Sequence, residues 1–405
     1  MSAPDTVRLQ GMIDEQARGG GGTVRVAAGR YVTGAITLRD DITLELEAGA
    51  TLVGSEDPAD YPPVEARWEG RHQTTHAPLI GGSGLRNVAI TGRGTIDGAG
   101  APWWKRFREK TLAHPRPRLV SFHESTNVLI EGITLVNSPA WTINPVRCEN
   151  VTVHRVTIKN PADSPNTDGI NPDSCRYVHI SDCHIDVGDD CITIKSGIET
   201  EAEDKRGPCE NITITNCTMA HGHGAVVLGS EMSGDVRNVV ISNCVFSETE
   251  CGIRIKTRRG RGGVIEDVRV SNIVMSDVLL PFSVNLFYNA LRKGDPVIAD
   301  RQPRPVDAGT PRVRRLRFGD ITAEDAHYAA AFLYGLPESP IEDVSFRDVA
   351  IRMSQHADSG VPRNIDGQEP LSRAGFIARN VRGLRLEGVE VSGQRGEPFV
   401  LTDAK

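Results

Sequence analysis

A short pattern recurs along most of this chain: a polar residue, two apolar residues separated by one position, and then a sharp bend before the next strand-like segment. Alternation with a period of two residues predicts short β-strands. The copies are spaced by about 23 to 48 residues, and repetition at that spacing predicts a solenoid. The clearest copies begin at Asn87, Asn127, Asn150, Tyr177, Asn211, Asn238 and Asp267, with an earlier one at Ile42 and weaker ones at Leu316, Val344 and Leu384.

The way the strands are joined predicts the fold class. No helical pattern separates them, and Asn or Gly marks the bends, so we predict an all-β, single-domain right-handed parallel β-helix over residues 1–405. A propeller would have more regular blades, and a leucine-rich repeat would have denser leucines. Residues 1–22 predict a short N-terminal helix that caps the open first coil. Insertions at 56–78, 99–118 and 287–311 are predicted to form the walls of a groove.

Composition limits the classes of partner. The chain is 39% hydrophobic and 24% charged, which is typical of a globular protein, and its net charge of -7 does not favour nucleic acid. No apolar run approaches the roughly 18 residues of a membrane span, and the first residues lack the apolar core of a signal peptide. The eight cysteines form no C-x-x-C pair and are interpreted as reduced, buried residues. We therefore expect a cytoplasmic protein that binds neither nucleic acid nor membrane. No feature indicates its oligomeric state.

Four polar motifs lie one after another in the middle of the chain. Equivalent positions of successive repeats stack in a solenoid, with strands about 4.8 Å apart, so side chains distant in sequence are predicted to meet in one groove. Carboxyl groups one or two coils apart have the separation needed to flank a glycosidic bond. The motifs are Asn166-Thr167-Asp168, Gly188-Asp189-Asp190, Gly222-His223-Gly224 and Arg254-Ile255-Lys256.

The residue types in these motifs predict acid–base chemistry on an anionic substrate. Clustered carboxylates repel one another, so one of them is expected to stay protonated and serve as a general acid. Arg254 and Lys256 are two residues apart and face the same side of a strand, which predicts a bound carboxylate. Taken singly, an Asp can cap a turn, His223 can pack in a turn, and the cations can belong to a solvated strand. Four such motifs on successive coils argue against those separate explanations.

At these residues the chain resembles glycoside hydrolase family 28, the polygalacturonase family, and in particular its bacterial exo-acting members. The family motifs NTD, G/QDD, G/SHG and RxK all occur here in that order. The resemblance extends through Asn166–Cys175, Gly188–Gly197 and Arg254–Thr257, and into the N-terminal region 20–52. It departs from the family at the start, where the usual first strand before the capping helix is missing. The resemblance implies single-displacement, inverting hydrolysis with no cofactor and no metal.

The resemblance also implies a role for each site residue. Asp189 would be the general acid, and Asp168 and Asp190 would hold and deprotonate the attacking water. His223 would tune the protonation of the acid. The residues expected to contact the substrate are Arg254 and Lys256 at its carboxylate, Tyr288 beneath the sugar, and Asn166 and Lys195 as further polar contacts.

We therefore predict cleavage of α-1,4-galacturonosyl linkages in pectin-derived oligogalacturonides. The insertions that carry Trp103, Trp104, His72 and His76 predict a groove closed at one end, and hence exo-acting release of residues from chain termini. Three alternatives are a rhamnogalacturonan or xylogalacturonan hydrolase of the same family, a Ca²⁺-dependent pectate-lyase-type polysaccharide lyase, and a non-catalytic carbohydrate-binding β-helix.

Overall fold

The structure is a computed structural model that describes residues 3–202 and 206–404. Two compact units can be distinguished, Met1–Asp190 and Cys191–Lys405. Strands account for 51% of the residues and helices for 7%, and the paired strands of the long sheet run parallel, as a β-helix requires. The predicted fold class, a right-handed parallel β-helix, is confirmed. The assignment of the whole chain to a single domain stays a prediction.

The first unit contains two α-helices, α1 (Thr6–Arg18) and α2 (Gly100–Arg108), and a 3₁₀ turn at Pro58–Asp60. Its strands are β1 (Gly22–Val26), β2 (Gly29–Thr33), β3 (Ile36–Thr37), β4 (Ile42–Leu46), β5 (Ala50–Gly54), β6 (Pro63–Trp68), β7 (Arg71–His76), β8 (Ile80–Ser83), β9 (Arg86–Gly92), β10 (Thr95–Asp97), β11 (Val120–His123), β12 (Thr126–Glu131), β13 (Thr134–Val136), β14 (Glu149–His154), β15 (Thr157–Lys159), β16 (Arg176–Ser181) and β17 (His184–Val187).

The core of the first unit consists of apolar side chains that stack in register from coil to coil. Alternation along each strand turns every second residue inward, so equivalent residues of successive coils meet in columns. Each column is almost completely buried. One contains Val24, Leu44, Ile90, Ile130, Val153 and Ile180; a second contains Leu52, Ile96, Leu135, Ile158 and Ile185; the third contains Ile36, Ile80, Val120, Ile143 and Ile170.

The asparagines that begin the repeats form a ladder at one bend. Asn87, Asn127 and Asn150 have φ of 54°, 58° and 57°, a left-handed conformation that Asn tolerates better than most residues. The Nδ2 of Asn127 donates to Asn87 Oδ1 at 2.8 Å, and that of Asn150 donates to Asn127 Oδ1 at 2.6 Å. The recurring Asn thus makes the turn and also bonds each coil to the previous one.

Helix α1 covers the first coil, as predicted. Leu9 and Ile13 are buried beneath it. The side chain of Gln10 accepts a hydrogen bond from the Thr37 N–H at 2.8 Å and donates to the Thr37 carbonyl at 2.9 Å. The helix therefore covers the apolar end of the first coil. It also satisfies the backbone hydrogen-bonding groups of Thr37 in β3.

Two of the predicted insertions lie in the first unit. The insertion 56–78 contains an antiparallel hairpin of β6 and β7, and the insertion 99–118 begins with α2. Trp103, on α2, is fully buried and packs edge-on against the rings of Tyr61 at 5.2 Å and His76 at 5.3 Å. Trp104 is also buried. Trp103 therefore joins the two insertions, and Trp104 donates a hydrogen bond to the Ser138 carbonyl at 3.1 Å; both rings are buried and are not presented to a groove.

The second unit repeats the same design with longer strands. The strands from Asp190 onwards are β18 (Asp190–Ile194), β19 (Cys209–Thr215), β20 (Thr218–His221), β21 (Gly224–Gly229), β22 (Val236–Ser247), β23 (Cys251–Lys256), β24 (Val264–Ser276), β25 (Leu280–Asn285), β26 (Arg312–Ala326), β27 (Ala329–Tyr334), β28 (Ile341–Met353), β29 (Ala374–Ser392) and β30 (Phe399–Ala404). The insertion predicted at 287–311 carries a short helix, α3 (Pro296–Ala299).

Three buried columns again form the core. They are Ile214, Ile241, Val270, Phe318 and Phe346; Met219, Phe246, Met275, Ala323 and Ile351; and Val226, Ile253, Phe282, Ala331 and Phe376. All eight cysteines of the chain are buried, as predicted, and none of them forms a disulfide. Among the described residues, no helix is long and apolar enough to cross a membrane.

Candidate functional site

Asp168 lies where the third column of the first unit ends. Ile170 pairs with Ile143 in that column, which fixes the backbone beside Asp168. The N–H of Gly169 donates to the carbonyl of Asp190 at 3.0 Å, so Asp168 and Asp190 come from adjacent coils, as predicted. The side chain of Asp168 is buried and its Oδ2 accepts a hydrogen bond from Asn171 Nδ2 at 2.9 Å. The orientation of this carboxylate is therefore set by the protein.

Asp189 and Asp190 follow a glycine that the local packing requires. A Cβ on Gly188 would lie 2.5 Å from the Ser164 carbonyl oxygen, closer than real contacts allow. Asp189 is half-buried and its Oδ1 accepts a hydrogen bond from the Asp190 N–H at 2.9 Å, whereas Asp190 is 1% exposed. The adjacent carboxyl groups of Asp189 and Asp190 thus occupy different environments. Different environments are the means by which a protein gives like groups different protonation states.

Arg116 is a site residue that the sequence did not single out. It lies in the insertion 99–118 and is fully buried. Its guanidinium donates to Asn166 Oδ1 at 2.6 Å, to the Pro165 carbonyl at 2.6 Å and to the Pro139 carbonyl at 2.8 Å. Arg116 therefore supports the loop that carries Asp168.

The charge of Arg116 also acts on the carboxylates. Burial lowers the pKa of Arg116 to about 10, while the carboxylates of Glu69, Asp189 and Asp168 act in the opposite direction. The guanidinium therefore remains charged at neutral pH. By reciprocity it favours the ionised forms of the same carboxyl groups.

The β6–β7 hairpin is fastened beside Asp168. Glu69, at the hairpin tip, accepts a hydrogen bond from Asn166 Nδ2 at 3.0 Å, and Arg67 Nη2 lies 2.5 Å from Asp173 Oδ2. Trp68 stacks on Trp141 with ring centroids 4.7 Å apart. Asn166, predicted to contact the substrate, instead has both ends of its amide bonded to the protein, one to Arg116 and the other to Glu69.

In the second unit, His223 follows a tight turn and leads into β21. His221 and Gly222 have φ of 55° and 73°, which turns the chain into the strand. Arg254 Nη1 donates to the His223 carbonyl at 3.3 Å. Val227 of β21 pairs with Arg254 of β23, so the imidazole and the cations come from neighbouring coils, as predicted.

Arg254 and Lys256 share one face of β23 and one aromatic ring. The Arg254 guanidinium lies 5.6 Å and the Lys256 ammonium 5.4 Å from the centroid of the Tyr288 ring. Both cations are largely buried. The Tyr288 hydroxyl accepts a hydrogen bond from Asn364 Nδ2 at 3.0 Å. The structure thus brings together the predicted cation pair and the predicted tyrosine.

Lys195 lies beside a buried carboxylate. Its ammonium lies 3.2 Å from Glu231 Oε2, and both residues are buried. Burial alone would raise the pKa of Glu231, but Lys195 and Arg261 together hold that pKa well below its usual value. Lys195 therefore neutralises a buried carboxylate, and its contact with the substrate stays a prediction.

Three comparisons with known proteins agree on a family. The model for glycosyl hydrolases family 28 matches residues 23–365. The "Probable polygalacturonase" of Vitis vinifera is 36% identical over 345 residues, which cover 84% of this chain and 68% of that protein. The "Endo-polygalacturonase" of Pectobacterium carotovorum subsp. carotovorum is 30% identical over 286 residues, 67% of this chain and 69% of that protein. The crystal structure of a hyperthermoactive exopolygalacturonase from Thermotoga maritima superposes with a TM-score of 0.77 at 28% identity, and the match covers 97% of this chain and 89% of that one.

Proposed function

Since this chain belongs to glycosyl hydrolases family 28, we propose that it is a polygalacturonase-like hydrolase of pectin-derived oligogalacturonides. The observation that carries the proposal is the cation pair of Arg254 and Lys256 on the ring of Tyr288. A guanidinium and an ammonium on one face of β23 can both donate charge-assisted hydrogen bonds to a carboxylate, and Tyr288 lies beside them. A galacturonate residue presents both a carboxylate for the cations and a sugar face for the ring.

The carboxyl groups of the first unit supply the chemistry. Asp189, the more exposed residue of the adjacent pair, donates the proton to the leaving oxygen. Asp168 and Asp190 orient and deprotonate the attacking water, and His223 adjusts the protonation of the acid. Water attacks the face opposite the leaving group, so each cleavage inverts the anomeric carbon. We expect Asp189→Asn to release no galacturonate at a measurable rate, with an unchanged thermal unfolding midpoint. An active Asp189→Asn enzyme would refute this assignment.

The cation pair favours galacturonate over a neutral rhamnose residue at this position, and the products distinguish hydrolysis from a lyase reaction. A rhamnogalacturonan linkage places a neutral sugar on one side of the bond, whereas these cations select a carboxylate. A pectate-lyase-type reaction needs Ca²⁺, for which carboxylate oxygens are suitable ligands. Incubation with polygalacturonate in the presence of a chelator distinguishes the reactions. We expect full activity and saturated products, whereas loss of activity and unsaturated products would favour the lyase.

The hairpin of the first unit supports an exo-acting mode. Glu69 and Arg67 fasten it to residues on either side of Asp168, and Trp68 anchors it on Trp141. A chain end fits against such a wall, whereas the middle of a polymer does not. The relatives carry both endo and exo names, so the proposal rests on this hairpin of the chain itself.

Product analysis tests the exo mode. From polygalacturonate we expect monogalacturonate from the first minutes and a slow fall in viscosity. The double variant Trp68→Ala with Glu69→Ala loosens the wall and should release longer oligomers. Glu65→Ala, on the same hairpin, is the matched control and should behave as wild type. Mixed oligomers from the wild-type enzyme, with a rapid fall in viscosity, would refute the exo mode.

We also propose a reducing compartment, the cytoplasm, as the site of action. The eight buried free cysteines support it, because buried thiols in this state suit proteins that are kept reduced. Fractionation of the native host with antibodies to the protein tests this, and recovery outside the cytoplasm would refute it.

A further inference from the structure

The second unit contains a second tyrosine that carries two cations. The Arg301 guanidinium lies 5.0 Å and the Arg379 guanidinium 5.3 Å from the centroid of the Tyr334 ring. These distances resemble those of Arg254 and Lys256 around Tyr288, 5.6 and 5.4 Å. The same chemical unit, two cations around one tyrosine ring, therefore occurs twice in this part of the chain.

Strand register relates the two tyrosine units. Lys256 of β23 pairs with Asn285 of β25. Asn285 pairs with Tyr334 of β27, and Tyr334 pairs with Arg379 of β29. Parallel strands are about 4.8 Å apart. Tyr334 therefore lies two coils, or about 10 Å, beyond Lys256 along the same face of the sheet.

The cations beside Tyr334 have no direct carboxylate partner among the described residues. Among residues 206–404, neither Arg301 nor Arg379 forms a salt bridge, and Arg301 Nη2 donates only to a backbone carbonyl, that of Asp366, at 2.7 Å. The Nη1 of Arg301 is buried and has no hydrogen-bond partner within that range. Burial lowers the pKa of Arg301, and the positive charges of Arg259 and Arg379 lower it further. Tyr334 and Asp366 act in the opposite direction and raise this pKa. Two cations beside one ring, one of which has a spare donor, favour an anionic ligand.

The position of Arg301 depends on aromatic packing. It lies 3.8 Å from the centroid of Phe287, and Phe287 packs on Tyr334 with ring centroids 4.7 Å apart. Phe287 is the residue before Tyr288, so one short segment at the start of the insertion 287–311 supports both tyrosine units. The insertion therefore brings Arg301 to the strand that carries Tyr334.

We propose that Arg301, Arg379 and Tyr334 bind the carboxylate of a second galacturonate residue, on the β27 side of the position formed by Arg254 and Lys256. The inference rests on the proposed function, because it takes the Arg254 and Lys256 pair as the binding position for the first such residue. It predicts that the enzyme gains affinity from a third sugar and prefers trigalacturonate to digalacturonate.

The test compares kcat/KM for digalacturonate and trigalacturonate. Arg379→Gln is expected to lower the value for trigalacturonate about tenfold, the worth of a charge-assisted hydrogen bond, and to leave digalacturonate unchanged. Arg379→Lys should recover part of the loss. The matched control is Arg382→Gln on the same strand, whose guanidinium is 3.1 Å from Glu342 and is exposed; it should match wild type on both substrates. If Arg379→Gln does not fold, Arg301→Gln is measured in its place with the same expectation.

Two results would overturn the inference: an equal loss on both substrates, which would assign Arg379 a structural role or a role at the first position, and no loss on either. Failure of the proposed function has a different signature, namely that the wild-type enzyme hydrolyses neither substrate. In that case calorimetric titration with trigalacturonate decides the inference. Weaker binding by Arg379→Gln supports it, and equal binding contradicts it.

Discussion

Replacement of Arg116 by glutamine tests the electrostatic account of the acidic residues. Three hydrogen bonds from the guanidinium are lost, and the oxygens of Asn166, Pro165 and Pro139 are left buried. An unpaired buried acceptor costs about 1–3 kcal/mol, and removal of one partner from a buried charged network typically costs about 3–5 kcal/mol. We expect a loss of unfolding free energy of that size, measured by urea denaturation.

The same substitution should change the pH dependence of catalysis. Removal of a cation from the neighbourhood of a carboxyl group disfavours the ionised form and raises its pKa. The base must be ionised to act, so the acid limb of kcat/KM should move to higher pH, by about one unit, which corresponds to about 1.4 kcal/mol. The assay is the initial rate of galacturonate release from digalacturonate across the acid range.

Arg118→Gln is the matched control for this prediction. Arg118 is equally buried and belongs to the same insertion, and burial likewise lowers its pKa to about 10, but its charge partners are Asp173 and Arg67. It should lose comparable stability without moving the acid limb. If Arg116→Gln is destabilised while its acid limb stays in place, Arg116 has only a structural role and the electrostatic reasoning is wrong.

Three further predictions concern stability and binding. Burial and the charges of Arg118, Arg147 and Arg67 lower the pKa of His123 to about 3, so the histidine stabilises the fold above the unfolded value of about 6.5 and loses that contribution as the pH falls towards 3. His123→Gln should flatten the decline of unfolding free energy over this range; an unchanged slope would contradict it. Lys195→Met leaves Glu231 buried without its main counter-charge and should cost about 3–5 kcal/mol in urea denaturation, which a second change, Glu231→Gln, should partly restore. No rescue by the double variant would argue against the pair. Tyr288→Ala should raise KM for digalacturonate about tenfold, whereas Tyr288→Phe, which keeps the ring, should change it little. Equal effects of the two changes would mean that the ring is not what binds the sugar.

The strands and turns of the repeats were predictable because local sequence patterns determine them. Period-two alternation determines which side chains face inward, and a repeated Asn determines where the chain turns. Asn127, for example, occupies the left-handed turn and bonds to Asn87 of the previous coil.

The insertions were not predictable in the same way, because no periodicity governs their path. Trp103 was expected at a groove, but residue type alone does not separate a wall from a core, and the ring is fully buried. Arg301 gave no signal in sequence, because its role derives from Tyr334 and Arg379, far along the chain. A signal was available for Arg116: an arginine inside a Pro-rich and aromatic insertion often packs on a ring, and here it lies 4.0 Å from the centroid of Phe107.

The most direct measurement of the central claim is proton NMR of digalacturonate during its first turnovers, with wild-type enzyme and Asp189→Asn side by side. With the wild type we predict an early excess of the β-anomer of galacturonate over its equilibrium proportion, which then relaxes by mutarotation, and no product with the variant. An early excess of the α-anomer, an unsaturated sugar, or product from the variant at the wild-type rate would contradict inverting hydrolysis by Asp189.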